Sequence, residues 1–258
     1  MMRRRDLAIV LATMTLTMTS SSVSAAAVGA IPASIVAAVA DPSRPAADRD
    51  LDAARKPAET LAFIGVGRGD KVVDIIPGQG QYFTHLFAAA VGPKGVVYAF
   101  VPSELAKMIK TPLPANGARP DPTRPNVVFL VGPANDFATP EPVDVVWIRQ
   151  NYHDLHDPFM APTNLATFNA AVFRALKPGG VYVILDHSAP DGSGLASTNT
   201  THRIDAAAVK SEVTAAGFEF EGESNILRNP ADTRDKLVFD PAIRGHTDQF
   251  IYKFRKPG

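Results

Sequence analysis

The 258-residue chain contains no cysteine. That excludes disulfides and thiolate metal sites, so an ordinary hydrophobic core must hold the fold in any compartment. It also lacks an excess of either charge: Lys+Arg and Asp+Glu stand at 26 each, and no basic run occurs. A nucleic-acid partner requires a basic patch or stripe, so none is expected. A good membrane span is missing as well. Arg3, Arg4 and Arg5 precede a modest apolar run from Leu7 to Met18, and Val23-Ser24-Ala25 follows. Charged start, short Thr-containing apolar run and small-residue step read as a secretory signal peptide over residues 1–25, with no stable membrane insertion. The adjacent arginines also admit the twin-arginine export route. The expectation is a periplasmic or secreted mature protein. Removing residues 1–25 takes Lys+Arg from 26 to 23 and Asp+Glu from 26 to 25, a net charge of −2. Residues 26–258 suit a single domain.

Within that domain, Lys71-Val72-Val73-Asp74-Ile75-Ile76 reads as a buried strand, Pro77-Gly78-Gln79-Gly80 as a glycine turn, and His85 to Val91 as a helix closed by Gly92-Pro93. Such a turn brings bare backbone near a ligand, and the helix start offers unpaired N–H groups. A dinucleotide fingerprint needs glycine at position 83, where Phe83 stands, which argues against NAD or FAD. Upstream, Asp48 to Phe63 predicts helix restarted by Pro57, positioned either to cover a ligand cleft or to cap the sheet. Downstream, β-rich runs at 95–101, 126–131, 143–148 and 181–185 alternate with helical patterns, and 218–222 with 249–254 form a closing pair. The Pro-dense stretch 111–125 reads as a surface loop. The pattern predicts an α/β fold: a Rossmann-like doubly wound sheet of seven mainly parallel strands with N-terminal helices. In such sheets ligands bind beyond the carboxyl ends of the strands.

The run Val72-Val73-Asp74-x-x-Pro77-Gly78-x-Gly80, the Asp144 to Ile148 strand, and the step Leu176-Lys177-Pro178-Gly179-Gly180-Val181 together resemble class I S-adenosylmethionine (SAM) methyltransferases. Asp41-Pro42-Ser43-Arg44-Pro45, Arg55-Lys56-Pro57, Tyr152-His153-Asp154 and His202-Arg203-Ile204-Asp205 further resemble a branch of predicted bacterial methyltransferases that carry signal peptides. The resemblance implies SAM as cofactor, a small-molecule acceptor, and a cofactor site that includes Asp74, Gly78, Gln79, Gly80, Tyr82 and Asn151. It has departures. Ile76 replaces a family glycine, and the acid that ends strand two and holds the ribose hydroxyls is absent, with Val101-Pro102 in its place. Glu104 is the nearest replacement. Asp136 and Phe137 are the nearest candidates on the adenine side.

Beyond strand four, His153-Asp154 suggests a base with an orienting carboxylate, and Tyr152 a group that positions the acceptor. His153 and His156, interleaved with Asp154 and Asp157, also have the composition of a divalent-ion site, although so polar a segment is more often an exposed turn; no metal is assigned. Arg55-Lys56 and Arg203 either bind an anionic substrate or are solvated surface charge. Two functions follow: an exported SAM-dependent methyltransferase, or a repurposed binding protein or metal-assisted enzyme that does not use SAM.

Overall fold

The computed structural model describes residues 30–108 and 115–258. The signal-peptide reading over residues 1–25 lies outside them. The chain begins with four short helices, α1 (Ala33–Ala40), α2 (Ala46–Arg49), α3 (Asp52–Arg55) and α4 (Pro57–Ile64). The break between the last two falls at Lys56, which adopts a left-handed backbone, and Pro57 takes the first helical position, where its missing N–H costs nothing. Then follow β1 (Lys71–Ile75), α5 (Tyr82–Val91), β2 (Val96–Pro102), β3 (Gly117–Pro120), β4 (Val127–Gly132) and β5 (Val143–Arg149). The second half holds α6 (Leu165–Ala175), β6 (Leu176–His187), α7 (Thr198–Thr201), α8 (Ala206–Ala215), β7 (Glu219–Ser224) and β8 (Gln249–Arg255).

These strands form one sheet in the order β3-β4-β2-β1-β5-β6-β8-β7. The five central strands run parallel, while β3, β8 and β7 pair antiparallel with their neighbours. The sheet therefore has eight strands rather than the expected seven. The extra one, β3, lies inside the Pro-dense stretch read as loop. It consists of four exposed residues, Gly-Ala-Arg-Pro, with no apolar alternation to announce it, and an edge is where a strand tolerates proline.

Alternation along the central strands divides the core in two. Val73, Ile75, Val146, Ile148, Tyr182 and Ile184 face the side covered by α6 and α8 through Phe168, Val172, Val209 and Val213. Val72, Val97, Val145, Trp147, Val183 and Leu185 face the side covered by Ile35, Leu61, Ile64, Leu86 and Phe87. Burial on both faces explains why these strands read as near-continuous β-branched runs. Asn164 caps α6 by accepting from the Thr167 N–H at 3.0 Å, and Asp205 caps α8 by accepting from the Ala207 N–H at 2.9 Å.

Between β6 and β8 the chain is largely irregular, and one buried cation ties it together. Arg203, fully buried, donates to both carboxylate oxygens of Asp232 (2.8 and 3.2 Å), to the Ser188 carbonyl (3.0 Å) and to the Lys236 carbonyl (2.9 Å). Neither reading offered for Arg203 holds: it is not solvated, and its donors are spent inside the protein. By fixing the segment around Lys236 it also seats Val238 and Phe239, which line the cleft described below. Removing one partner of such a pair strands the other charge. Arg203→Ala should lower unfolding free energy by about 3–5 kcal/mol. Urea denaturation checks this, and a loss under about 1 kcal/mol would contradict the assigned role.

Candidate functional site

A cleft of about 620 Å3 opens beyond the carboxyl ends of β1, β5 and β6. Its floor is the turn from Ile76 to Gln81, between β1 and α5. A Cβ built on Gly78 or Gly80 would meet no heavy atom within 4 Å, so both glycines leave their backbone bare toward open space. Gly78 has φ +70°, a conformation that glycine adopts without strain. Ile76, at the family glycine position, has φ +54°, and it has company: Gln81 (+49°), Gln150 (+56°) and His202 (+53°) also line the cleft. Four of the six non-glycine residues with positive φ among the described residues thus face one cavity. Each costs on the order of 1–3 kcal/mol, and strain of this kind collects at functional sites.

Asp74, at the end of β1, is buried and accepts from the Thr84 hydroxyl at 2.6 Å and from the Thr84 backbone N–H. It thereby ties the strand to the first turn of α5 while still lining the cleft. Burial raises its carboxyl to about 7, against the lowering effects of Thr84 and of the Arg149 charge. Arg149 was not singled out by the sequence reading. This half-buried guanidinium at the end of β5 lines the cleft and makes no salt bridge among the described residues. Burial and the neighbouring Arg55 push it down to about 9, which leaves it a cation at neutral pH. Phe83 lies beneath it, with the ring centre 5.8 Å from the guanidinium carbon.

The N-terminal helices do reach the cleft: Asp48, Leu51 and Arg55 line it. Tyr82 connects them to α5. Its hydroxyl donates to Asp52 at 2.5 Å, Arg55 stacks 4.4 Å above its ring, and Arg44 makes a bidentate pair with the same Asp52. Burial and the Asp52 carboxylate raise the phenol well above its ordinary value, so Tyr82 positions rather than ionises.

Opposite the glycine turn lies a histidine cluster. His153, in a 3-10 turn (His153–His156), is nearly fully buried. Its Nδ1 meets Asp186 Oδ1 at 2.8 Å, and its backbone N–H donates to Asp186 Oδ2 at 2.9 Å. Its Nε2 stands 3.2 Å from both Asp154 Oδ1 and His202 Nδ1. The orienting carboxylate is therefore Asp186, at the end of β6, and not the expected Asp154, which faces the other nitrogen. Burial opposes charge on His153, but Asp186 and Asp154 raise the imidazole to about 10. As it stands it is a cation near neutral pH, not the neutral base the sequence reading expected. His187 is the converse: burial pushes it down to about 3, and its Nδ1 pairs with the Thr247 hydroxyl at 2.7 Å.

Other expected residues lie elsewhere. Tyr152 is fully buried behind the turn, donating to Glu212 at 2.9 Å and accepting from Asn169 at 2.9 Å, so it does not touch the cleft. Glu104 turns inward to accept from the Ala134 N–H at 3.2 Å and supplies no carboxylate to the cleft. Phe137 is core, against Phe100 and Phe168, and Asp136 is exposed outside the cleft. His156 pairs with Glu212 at 3.3 Å, away from His153. Gln79, Asn151 and the glycines do line the cleft, where Leu105 and Met108 stand at the β2 end.

Because the raised carboxyl of Asp74 binds its proton more tightly folded than unfolded, its contribution to stability is complete below pH ~4 and is lost as pH rises toward 7. Asp74→Asn keeps an acceptor for Thr84 but cannot ionise. Its melting temperature relative to wild type should therefore rise between pH 4 and pH 8. A difference that stays constant over that range would contradict the assignment.

No family model matches the chain. The curated ubiquinone/menaquinone biosynthesis C-methyltransferase UbiE of Ectopseudomonas mendocina (strain ymp) is 29% identical over 196 residues, which is 75% of this chain and 66% of that protein. The chain thus spans just under two thirds of that relative. Among solved structures, a SAM dependent methyltransferase from Aquifex aeolicus superposes with a TM-score of 0.50 at 18% identity, covering 83% of this chain and 94% of that one. The [4+2]-cyclase SpnF superposes with a TM-score of 0.52 at 17% identity, covering 82% and 81%.

Proposed function

We propose that this chain is a class I SAM-dependent methyltransferase, as its likeness to the UbiE relative and its fold support, that its cleft binds SAM, and that it transfers a methyl group to a small-molecule acceptor outside the cytoplasm. The observation that carries this reading is the pairing of a bare glycine turn with a cation, Arg149, that has no salt-bridge partner among the described residues, both facing one cleft. SAM supplies an electrophilic methyl group and brings a carboxylate of its own. Arg149 would hold that carboxylate, the Gly78–Gly80 backbone would lie against the chain of the cofactor, and Ile76, Leu105 and Met108 offer apolar surface for the base. Asp74 keeps the turn in place through Thr84. The histidine cluster borders the same cavity and would contact the acceptor. Methyl transfer asks little more than in-line positioning, so a site rich in fixed polar groups and poor in free bases is adequate.

Calorimetry with S-adenosylhomocysteine tests the site. A side chain at Gly80 meets open space and an unstrained φ, so Gly80→Val should keep the melting temperature while lowering affinity by roughly tenfold or more. Arg149→Leu should lower it by about 10–100-fold. Equal affinity in all three proteins, or none in wild type, rejects the site.

A second reading rests on the end of β2. Among the described residues no carboxylate at that end reaches the cleft to answer the ribose hydroxyls in the family manner, and a binding protein or an enzyme with another ligand fits that gap. A fold alone does not decide the reaction. Release of S-adenosylhomocysteine from SAM separates turnover from binding. The proposed location has its own test: the exported protein should begin at Ala26, whereas an intact Met1 on a protein confined to the cytoplasm would contradict it.

A further inference from the structure

The histidine cluster contains more than the methyl-transfer reading uses. His153 Nε2, Asp154 Oδ1 and His202 Nδ1 form a triangle with sides of 3.2, 3.2 and 3.3 Å. Hydrogen bonding accounts poorly for three equal sides. Ring protons on His153 Nε2 and His202 Nδ1 can both point at Asp154, but that leaves the 3.2 Å side between the two nitrogens as a contact of donor against donor. A cation above the triangle accounts for all three at once. Nitrogen and oxygen ligands about 2.0–2.1 Å from a tetrahedral ion stand about 3.3–3.4 Å from one another. The three atoms, moreover, come from two separate segments. His153 and Asp154 follow β5, while His202 ends α7 in a left-handed backbone conformation.

We infer that His153, Asp154 and His202 form a binding site for one divalent first-row transition ion, with Asp186 as the positioning carboxylate behind His153. Two imidazoles and one carboxylate are the donor set of such ions rather than of magnesium or calcium, which prefer oxygen alone. The Asp186 contact supports this. A ligating histidine commonly donates its other ring N–H to a carboxylate, which fixes the tautomer and aims the free nitrogen at the metal, and Asp186 holds His153 Nδ1 in that manner at 2.8 Å. Three protein ligands leave coordination positions open, and the open side is the cleft, which all three residues line. That is the pattern of a reactive site rather than a structural one. The ligand set differs from the pair expected from sequence spacing: His156 turns to Glu212, and His202, 49 residues from His153, replaces it. The inference stands apart from the methyl-transfer reading, because ion binding requires neither SAM nor an acceptor.

The test uses the full chain without an affinity tag, stripped with chelator and dialysed. It is titrated with zinc chloride by calorimetry and with cobalt chloride by visible absorption, which reports coordination geometry directly. Wild type should bind one ion per chain. Asp154→Asn and His202→Ala, both at partly exposed positions, should keep the metal-free melting temperature and lose at least about tenfold in affinity, with the cobalt bands altered or absent. Asp186→Asn should lose about 10–100-fold while keeping the cobalt band pattern of a His/carboxylate site. His156→Ala should match wild type. Absence of saturable binding in wild type would overturn the inference, as would undiminished affinity in both ligand variants. An equal loss in His156→Ala would overturn this choice of ligands.

Discussion

The carboxylate of Asp186 is the contact on which the functional end of this protein depends. It lies fully buried at the end of β6 and receives three donors: the backbone N–H and ring of His153 and the backbone N–H of His187. Burial alone would push it toward the neutral form. His153 and the N–H donors outweigh that and hold it below the ordinary carboxylate value. Through this one group the chain leaving β5 is clamped to the neighbouring strand, so His153 cannot choose its orientation. Its Nε2 is presented to Asp154 and His202, and that side of the cleft takes its shape from there.

A comparable division of labour runs through the rest of the cleft. Asp74 and Thr84 secure the glycine turn, Asp52 gathers Arg44 and Tyr82 above it, and Arg203 with Asp232 holds the segment that brings Val238 and Phe239 to its rim. Each is a polar group held by partners within the fold. The strained backbone at Ile76, Gln81, Gln150 and His202 is tolerated because these anchors leave it no alternative. Arg149 remains the exception, a cation facing the cavity with no carboxylate paired to it among the described residues.

The layered α/β architecture was legible because it is written in local patterns. Buried β-branched runs, a glycine turn and the Asp205 cap ahead of α8 each act over a few residues. β3 was not legible, since a four-residue exposed edge strand carries no such pattern. The site divides along the same line. Asp74, Gly78, Gln79, Gly80, Tyr82 and Asn151 follow directly from a strand end or a turn, and they border the cleft. Glu104, Phe137 and Tyr152 also follow strand ends, but in each the side chain turns inward to a partner 30 or more residues away, which spacing does not disclose. The pairing of His153 with Asp186 and His202 is of that long-range kind. The signal in the sequence was the concentration of His153, His156, His187 and His202 near predicted strand ends and in the segment that follows the strand at 181–185. Arg149 was visible as the residue ending a strand, with no spacing to mark it as a ligand-facing cation.

The account turns on the cleft above Gly78–Gly80 being a cofactor site, and a crystal structure with S-adenosylhomocysteine at saturating concentration tests this most directly. It predicts continuous density along the turn, with the amino-acid carboxylate on Arg149 and the base against Leu105 and Met108. Density at another place on the protein, or an empty cleft under those conditions, would contradict it.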